Sequence, residues 1–185
     1  HVPDEVLPPA VAILNAKRED NTYPYEHLSG CGVGFKFMQA FAISNGIEFH
    51  HLIPLLDLVA VSIASDIVPL VDENRILVRE GLKRLRMTTH PGMSALIEVN
   101  ELARDTLSAF HIGFVLGPCI NASGRLATAK RALELLDTEE QDLALERAAE
   151  LKHLNDERKE LTEQGLTQAV DLIEHSSLTD DRVLV

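Results

Sequence analysis

The sequence predicts a mainly α-helical chain that ends in one long helix. Three observations carry this reading. Residues 139–176 set Leu143, Ala144, Leu151, Leu154, Leu161, Leu166, Val170 and Ile173 at helical spacing. Leu52 to Val68 is almost wholly apolar and too long for a single strand. Residues 73–86 carry apolar side chains on one face and a row of cations on the other. Strand candidates are short: Val11–Leu14, and a stub at Arg182–Val185.

The elements follow in order. The opening, His1-Val-Pro-Asp-Glu-Val-Leu-Pro-Pro9, is an extended surface segment, and the apolar run after its prolines is read as a buried strand over 11–14. Ser29 is an N-cap for a helix over 30–45, with Val33, Phe37, Ala40 and Phe41 in register and Gly46 as its stop. Gly30, Gly32 and Gly34 fall in its first turns and suit close backbone packing. The buried helix 52–68 ends at Pro69. In the helix 73–86, Ile76, Leu77, Leu82 and Leu85 point inward, while Arg75, Arg79, Lys83, Arg84 and Arg86 face out with Glu80. Pro91 opens a helix through about Leu102. Residues 106–116 are helical, 118–125 form a polar loop and 126–136 a short helix. Gly165 allows a bend in the long helix, since glycine costs about 1 kcal/mol there relative to alanine.

Composition limits function. The 185 residues fit one domain, or one domain with an arm. Hydrophobic residues at 45% support a packed core, and aromatics at 4% with no Trp argue against a binder built on stacking platforms. No apolar run reaches the length of a membrane span. Cys31 and Cys119 form no readable disulfide or CxxC zinc pattern, and no secretory leader is recognisable, so the cytoplasm is the default location. The net charge of −12 is uneven: residues 1–136 hold 15 acids and 12 bases, residues 137–181 hold 14 acids and 4 bases. A uniformly basic nucleic-acid binder is excluded, and a local basic patch is not.

Asp66 stands out for chemistry. Apolar sequence flanks it on both sides, and a buried carboxylate needs a cation or strong donors. A hard metal ion would serve, as would backbone N–H groups of a helix-end loop. Asn121-Ala-Ser-Gly-Arg125, read as a loop before a helix, could hold an anion through N–H groups, hydroxyl and guanidinium, or could simply cap the helix. The cationic face of 75–86 could follow a phosphate backbone or be a solvated helix face. His50-His51 reads as a surface pair with no acid nearby.

Several segments then match one family in order. His1-Val-Pro-Asp-Glu-Val-Leu-Pro8, Tyr25-Glu-His-Leu-Ser-Gly-Cys-Gly-Val-Gly-Phe-Lys36, Leu56-Asp-Leu-Val-Ala-Val-Ser-Ile-Ala-Ser-Asp66-Ile-Val-Pro-Leu70, Asn74-Arg-Ile-Leu-Val-Arg-Glu-Gly-Leu82, Thr89-His-Pro-Gly92, Gly117-Pro-Cys-Ile-Asn-Ala-Ser-Gly-Arg125 and Leu154-Asn-Asp-Glu-Arg-Lys159 together resemble the DHH phosphoesterase family, in its RecJ branch of single-strand-specific 5′ to 3′ DNA exonucleases. The resemblance spans essentially the whole chain. It implies an α/β DHH domain with a parallel sheet, of which residues 1–137 are the later part, 138–178 a long connector helix and 179–185 the start of a following DHHA1 domain.

The resemblance also implies roles. His1 corresponds to the last histidine of the Asp-His-His motif and Asp66 to a metal-binding aspartate, with Mn²⁺ or Mg²⁺ as cofactor. Asn121, Ser123, Gly124 and Arg125 correspond to a phosphate-contacting loop for single-stranded DNA. The implied chemistry is two-metal hydrolysis in DNA repair and recombination. The family's Asp-x-Asp motif and the first two residues of Asp-His-His do not occur here, and Cys119 replaces a common Arg. The chain by itself is therefore expected to be inactive, with an exposed apolar face that invites homodimerisation. Two other readings are a DHH phosphoesterase acting on short oligonucleotides and a non-catalytic helical interaction module.

Overall fold

In the computed structural model, which describes residues 6–126 and 128–175, the Ser29 hydroxyl accepts a hydrogen bond from the Gly32 N–H at 3.1 Å and caps α1, Gly30–Ser44. Two 3₁₀ turns, Phe49–His51 and Ile53–Leu55, then lead into α2, Leu56–Ser65. The apolar run expected to be helical over 52–68 is thus shorter as an α-helix.

α3, Asp72–Arg86, begins with Asp72 and Glu73 and ends with Lys83, Arg84 and Arg86, each set complementing the helix dipole. Its buried stripe is Asn74, Val78, Gly81 and Leu85. Ile76, expected inward, is 62% exposed because it lies two residues, about 200°, from both Asn74 and Val78. α4, Pro91–Val99, starts on a proline, and the His90 ring nitrogen accepts from the Met93 N–H. It stops before the expected Leu102, where Glu101 takes a positive φ of 55°.

The next helix is composite. α5, Ala109–His111, runs into a π-helical turn, Ile112–Leu116, and on into α6, Gly117–Leu126. The polar loop expected over 118–125 is therefore helical. Pro118 is accommodated because the carbonyl it would strike in an α-helix, that of Phe114, lies in the wide π turn. After α7, Lys130–Asp137, comes α8, Gln141–Glu174. Its 34 residues continue through Gly165, without a break at the expected bend.

The fold is mainly helical, and no strand occurs among the described residues. Residues 11–14 form no strand: Val11 is fully exposed, Leu14 is exposed, and no second strand is there to take their backbone hydrogen bonds. The stub at 182–185 lies outside the described residues.

α2 and α4 sit at the centre. Val59, Ala60 and Ile63 of α2, Met93, Leu96 and Ile97 of α4, and Ala144, Ala148 and Leu151 of α8 share one core with Leu116, Cys119 and Leu135. α3 lies against α2, and the first half of α8 lies against α4, α6 and α7. Close approach is carried by glycines, though not those expected. Gly30 and Gly34 face open space, whereas a Cβ on Gly81 would strike the Leu56 carbonyl and the Ala60 methyl, and one on Gly92 would strike the Leu135 carbonyl. No helix among the described residues is long and apolar enough to cross a membrane.

Candidate functional site

Asp66 is the C-cap of α2. Its N–H donates to the Ser62 carbonyl at 3.0 Å, and its side chain is exposed. The burial expected for it belongs instead to Asp57, which is 6% exposed and accepts hydrogen bonds from the Leu58 N–H at 2.7 Å and the Thr88 hydroxyl at 2.8 Å. No backbone N–H or cationic side chain among the described residues bonds the Asp66 carboxylate. The helix-end loop that would satisfy it locally does not do so.

The backbone around Asp66 is held tightly. Ile67 has φ of +53°, a left-handed conformation that a β-branched residue adopts at a cost of roughly 1–3 kcal/mol. Two residues on, the Pro69 carbonyl accepts from the Tyr25 hydroxyl at 3.1 Å and from the Asn74 side-chain amide at 3.0 Å. The same amide donates to the His27 carbonyl at 2.8 Å. The turn is therefore tied both to the segment before α1 and to the first turn of α3.

α1 begins beside this turn. The Ser62 hydroxyl donates to the Ser29 hydroxyl at 2.9 Å, which sets the carbonyl end of α2 against the N–H end of α1. Burial pushes the Cys31 thiol up from its ordinary pKa, and the Asp66 charge adds to that shift, so the carboxylate lies within electrostatic reach of the α1 start. The carbonyl end of a helix favours cations and the N–H end favours anions. A cation at Asp66 with an anion beside it is the arrangement that these two ends support.

The composite helix closes the other side. A Cβ on Gly113 would come 3.1 Å from the Ala64 carbonyl, and one on Gly117 would strike the Ser65 hydroxyl. The Ser65 Oγ is buried there with no hydrogen-bond partner among the described residues. Sequence reasoning assigned no individual role to Ser65, Gly113 or Gly117. The four-residue spacing of two glycines in an apolar segment was the signal available.

The residues expected to form an anion-binding loop are placed differently. Asn121, Ser123, Gly124 and Arg125 occupy the last turns of α6. Asn121, Gly124 and Arg125 are exposed, while Ser123 is buried and donates to the Ile120 carbonyl at 2.9 Å. The backbone N–H groups of 121–125 are thus committed inside a helix, so anion recognition here would rest on the Asn121 amide and the Arg125 guanidinium. Arg125 is eight residues beyond Gly117, about 12 Å along the axis, so the structure puts these residues on the helix that seats Asp66 without gathering them around it.

His1 lies outside the described residues. His50 and His51 are exposed, as expected, but an acid is near: the His50 Nδ1 is 2.9 Å from a Glu48 carboxylate oxygen. Cys119 is buried, its thiol donating to Asn100 Oδ1 at 3.7 Å, and burial pushes its pKa up.

The Asp66 oxygens are hard donors of the kind Mn²⁺ and Mg²⁺ prefer, and among the described residues no ion pair competes for them. No group of three or more His, Cys, Asp and Glu gathers among the described residues. Asp66 therefore fits as one ligand of a set.

No family model matches the chain. Over its full 185 residues it is 36% identical to the single-stranded-DNA-specific exonuclease RecJ of Bacillus subtilis, covering 23% of that protein. It is 39% identical over 176 residues to the RecJ of Escherichia coli, covering 90% of this chain and 30% of that one. Among solved structures, RecJ from Thermus thermophilus in complex with Mn²⁺ superposes with a TM-score of 0.79 at 31% identity, over 95% of this chain and 26% of that one. An exonuclease RecJ bound to manganese superposes with a TM-score of 0.79 at 30% identity, over 96% and 43%. The chain thus spans about a quarter to a third of the curated relatives it matches.

Proposed function

We propose, from the premise that this chain belongs to the RecJ family over the stretch it covers, that it supplies a metal-binding aspartate and a phosphate-facing helix to a single-stranded-DNA exonuclease. The observation that carries this reading is Asp66: an exposed carboxylate with no ion pair among the described residues, at the carbonyl end of a buried helix, on a turn fixed by Tyr25 and Asn74. Asp66 would hold Mn²⁺ or Mg²⁺ together with His1 and with ligands beyond the described residues. When bound, these ions polarise the scissile phosphate and stabilise the charge on the leaving oxygen.

The chain's own residues bind and orient. Asn121 and Arg125 on α6 contact a backbone phosphate, and Ser123 and Gly124 shape that end of the helix. In this reading the helices complete an α/β DHH domain with a parallel sheet, with residues 1–137 in that domain, 138–178 as connector and 179–185 opening a DHHA1 domain. Degradation runs 5′ to 3′, in repair and recombination in the cytoplasm. The exposed apolar residues Phe37 and Phe41, one turn apart on α1, belong to the face on which the rest of such a domain would pack, and two isolated copies would pair through it.

The test uses the full-length protein that carries this sequence. Asp66→Asn should lower Mn²⁺-dependent hydrolysis of an end-labelled single-stranded oligonucleotide by about 10²–10⁴-fold, the scale of a lost metal ligand. Arg125→Ala should act mainly on KM. Asp66→Asn with wild-type activity would refute the reading, as would robust hydrolysis by the 185-residue chain alone.

A further inference from the structure

We propose that Gly117 is a positioning residue for Asp66, acting through Ser65. The inference rests on the metal-binding reading of Asp66 given above. The Asp66 side chain makes no hydrogen bond or ion pair among the described residues, so its placement is set by its backbone. That backbone is the end of α2, and the end of α2 is seated on the composite helix by two glycines. Gly113 meets the Ala64 carbonyl. Gly117 meets Ser65, where an added Cβ would strike the hydroxyl and lie 2.8 Å from the Ser65 Cβ and 3.0 Å from the Ile112 carbonyl.

Two further observations make this seat more than ordinary packing. The Ser65 Oγ is buried with no hydrogen-bond partner among the described residues, so packing rather than a bond to them seats it. The next turn carries Ile67 at φ of +53°, a conformation that persists only where the surroundings impose it. The π turn Ile112–Leu116 contains Gly113 and ends just before Gly117, and so sets their spacing around the end of α2. π turns of this kind are frequent at functional sites. With a Cβ on residue 117, Ser65 must move, and the adjoining Asp66 and Ile67 move with it.

The test is a double-mutant cycle in the full-length protein: Gly117→Ala, Ser65→Gly and both together, with Asp66→Asn as reference and Gly165→Ala as an alanine insertion in open space. Mn²⁺ affinity is read from the free-ion electron paramagnetic resonance signal, and kcat and KM on a single-stranded oligonucleotide are measured beside it. Gly117→Ala should weaken Mn²⁺ binding about tenfold and lower kcat with little change in KM. Ser65→Gly empties the seat and should weaken binding about threefold. The double variant should return to within about threefold of wild type, because the space taken by the new methyl has been vacated. Gly165→Ala should change nothing.

A folded Gly117→Ala protein with wild-type Mn²⁺ affinity would overturn the proposal. If Gly117→Ala does not fold, the double variant and Ser65→Gly still decide it: wild-type Mn²⁺ affinity in Ser65→Gly, or no rescue in the pair, overturns it. Unchanged Mn²⁺ affinity in Asp66→Asn would instead sink the metal-binding reading on which the proposal rests.

Discussion

Gly81→Ala tests the helix packing that supports the site, because the same substitution elsewhere should act with the opposite sign. At Gly81 of α3 an added Cβ would overlap the Leu56 carbonyl and the Ala60 methyl of α2, with the Leu56 carbonyl carbon 3.0 Å away. Two of those atoms are backbone, so no rotamer change relieves the clash and the helices must separate. Overpacking of this kind costs about 1–3 kcal/mol, and a backbone obstacle puts it at the upper end. The better helix propensity of alanine returns about 1 kcal/mol. The net loss is about 2 kcal/mol, or roughly 4–8 °C in Tm for a chain of this size. At Gly34 of α1 the same change meets nothing within 4 Å and should gain about 0.5–1 kcal/mol. Urea and thermal unfolding of the isolated chain, followed by far-UV circular dichroism, measure both. Equal effects at the two positions, or a stabilised Gly81→Ala protein, would refute the reasoning.

Other outcomes follow from the same structure. Thr88→Val leaves the buried Asp57 carboxylate without its hydroxyl donor and should destabilise the chain by about 1–3 kcal/mol in urea titration, with most of that loss absent in an Asp57→Asn background. Burial raises the Glu73 carboxyl, but hydrogen bonds from Tyr23 and Lys36 outweigh it and hold the pKa below its ordinary value. A depressed carboxyl stabilises above its unfolded pKa of about 4.3 and loses that contribution as pH falls through the folded value. The urea midpoint should therefore drop below about pH 4, and Glu73→Gln should flatten that drop. Phe41→Glu on the exposed face of α1 should convert dimers of the isolated chain to monomers in sedimentation velocity, with helix content unchanged.

The helices were legible where periodicity was strong. α3, α7 and α8 come within a few residues of their expected bounds, because an apolar stripe on one face leaves few other solutions. Misreadings cluster at proline and glycine. Gly117-Pro118 reads locally as a break, yet the π turn before it absorbs the proline and the helix continues. Val11–Leu14 reads as a strand, but a strand exists only with a partner, and local sequence cannot supply one. Gly30 and Gly34 looked like packing glycines, whereas the close contacts fall at Gly81, Gly92 and Gly117. What decides a close approach is the atom on the opposite element, which the glycine's own neighbours do not reveal.

The site shows the same limit more sharply. Asp57 and Asp66 flank one apolar run and look alike in sequence. They are nine residues apart, and at about 100° per residue that is two and a half turns, so they project from opposite sides of the helix. One must face the core and the other leave it, but the run is apolar throughout and does not say which. The tertiary partners decide: Thr88 waits on the buried side for Asp57, and on the other side Ser29, Tyr25, Asn74 and Gly117 fix the turn without bonding the Asp66 carboxylate. Those five residues come from four separate stretches of chain, and none is within seven positions of Asp66. Singling out Asp66 as a candidate was thus within reach of the sequence, and finding that its carboxylate makes no bond among the described residues required the fold.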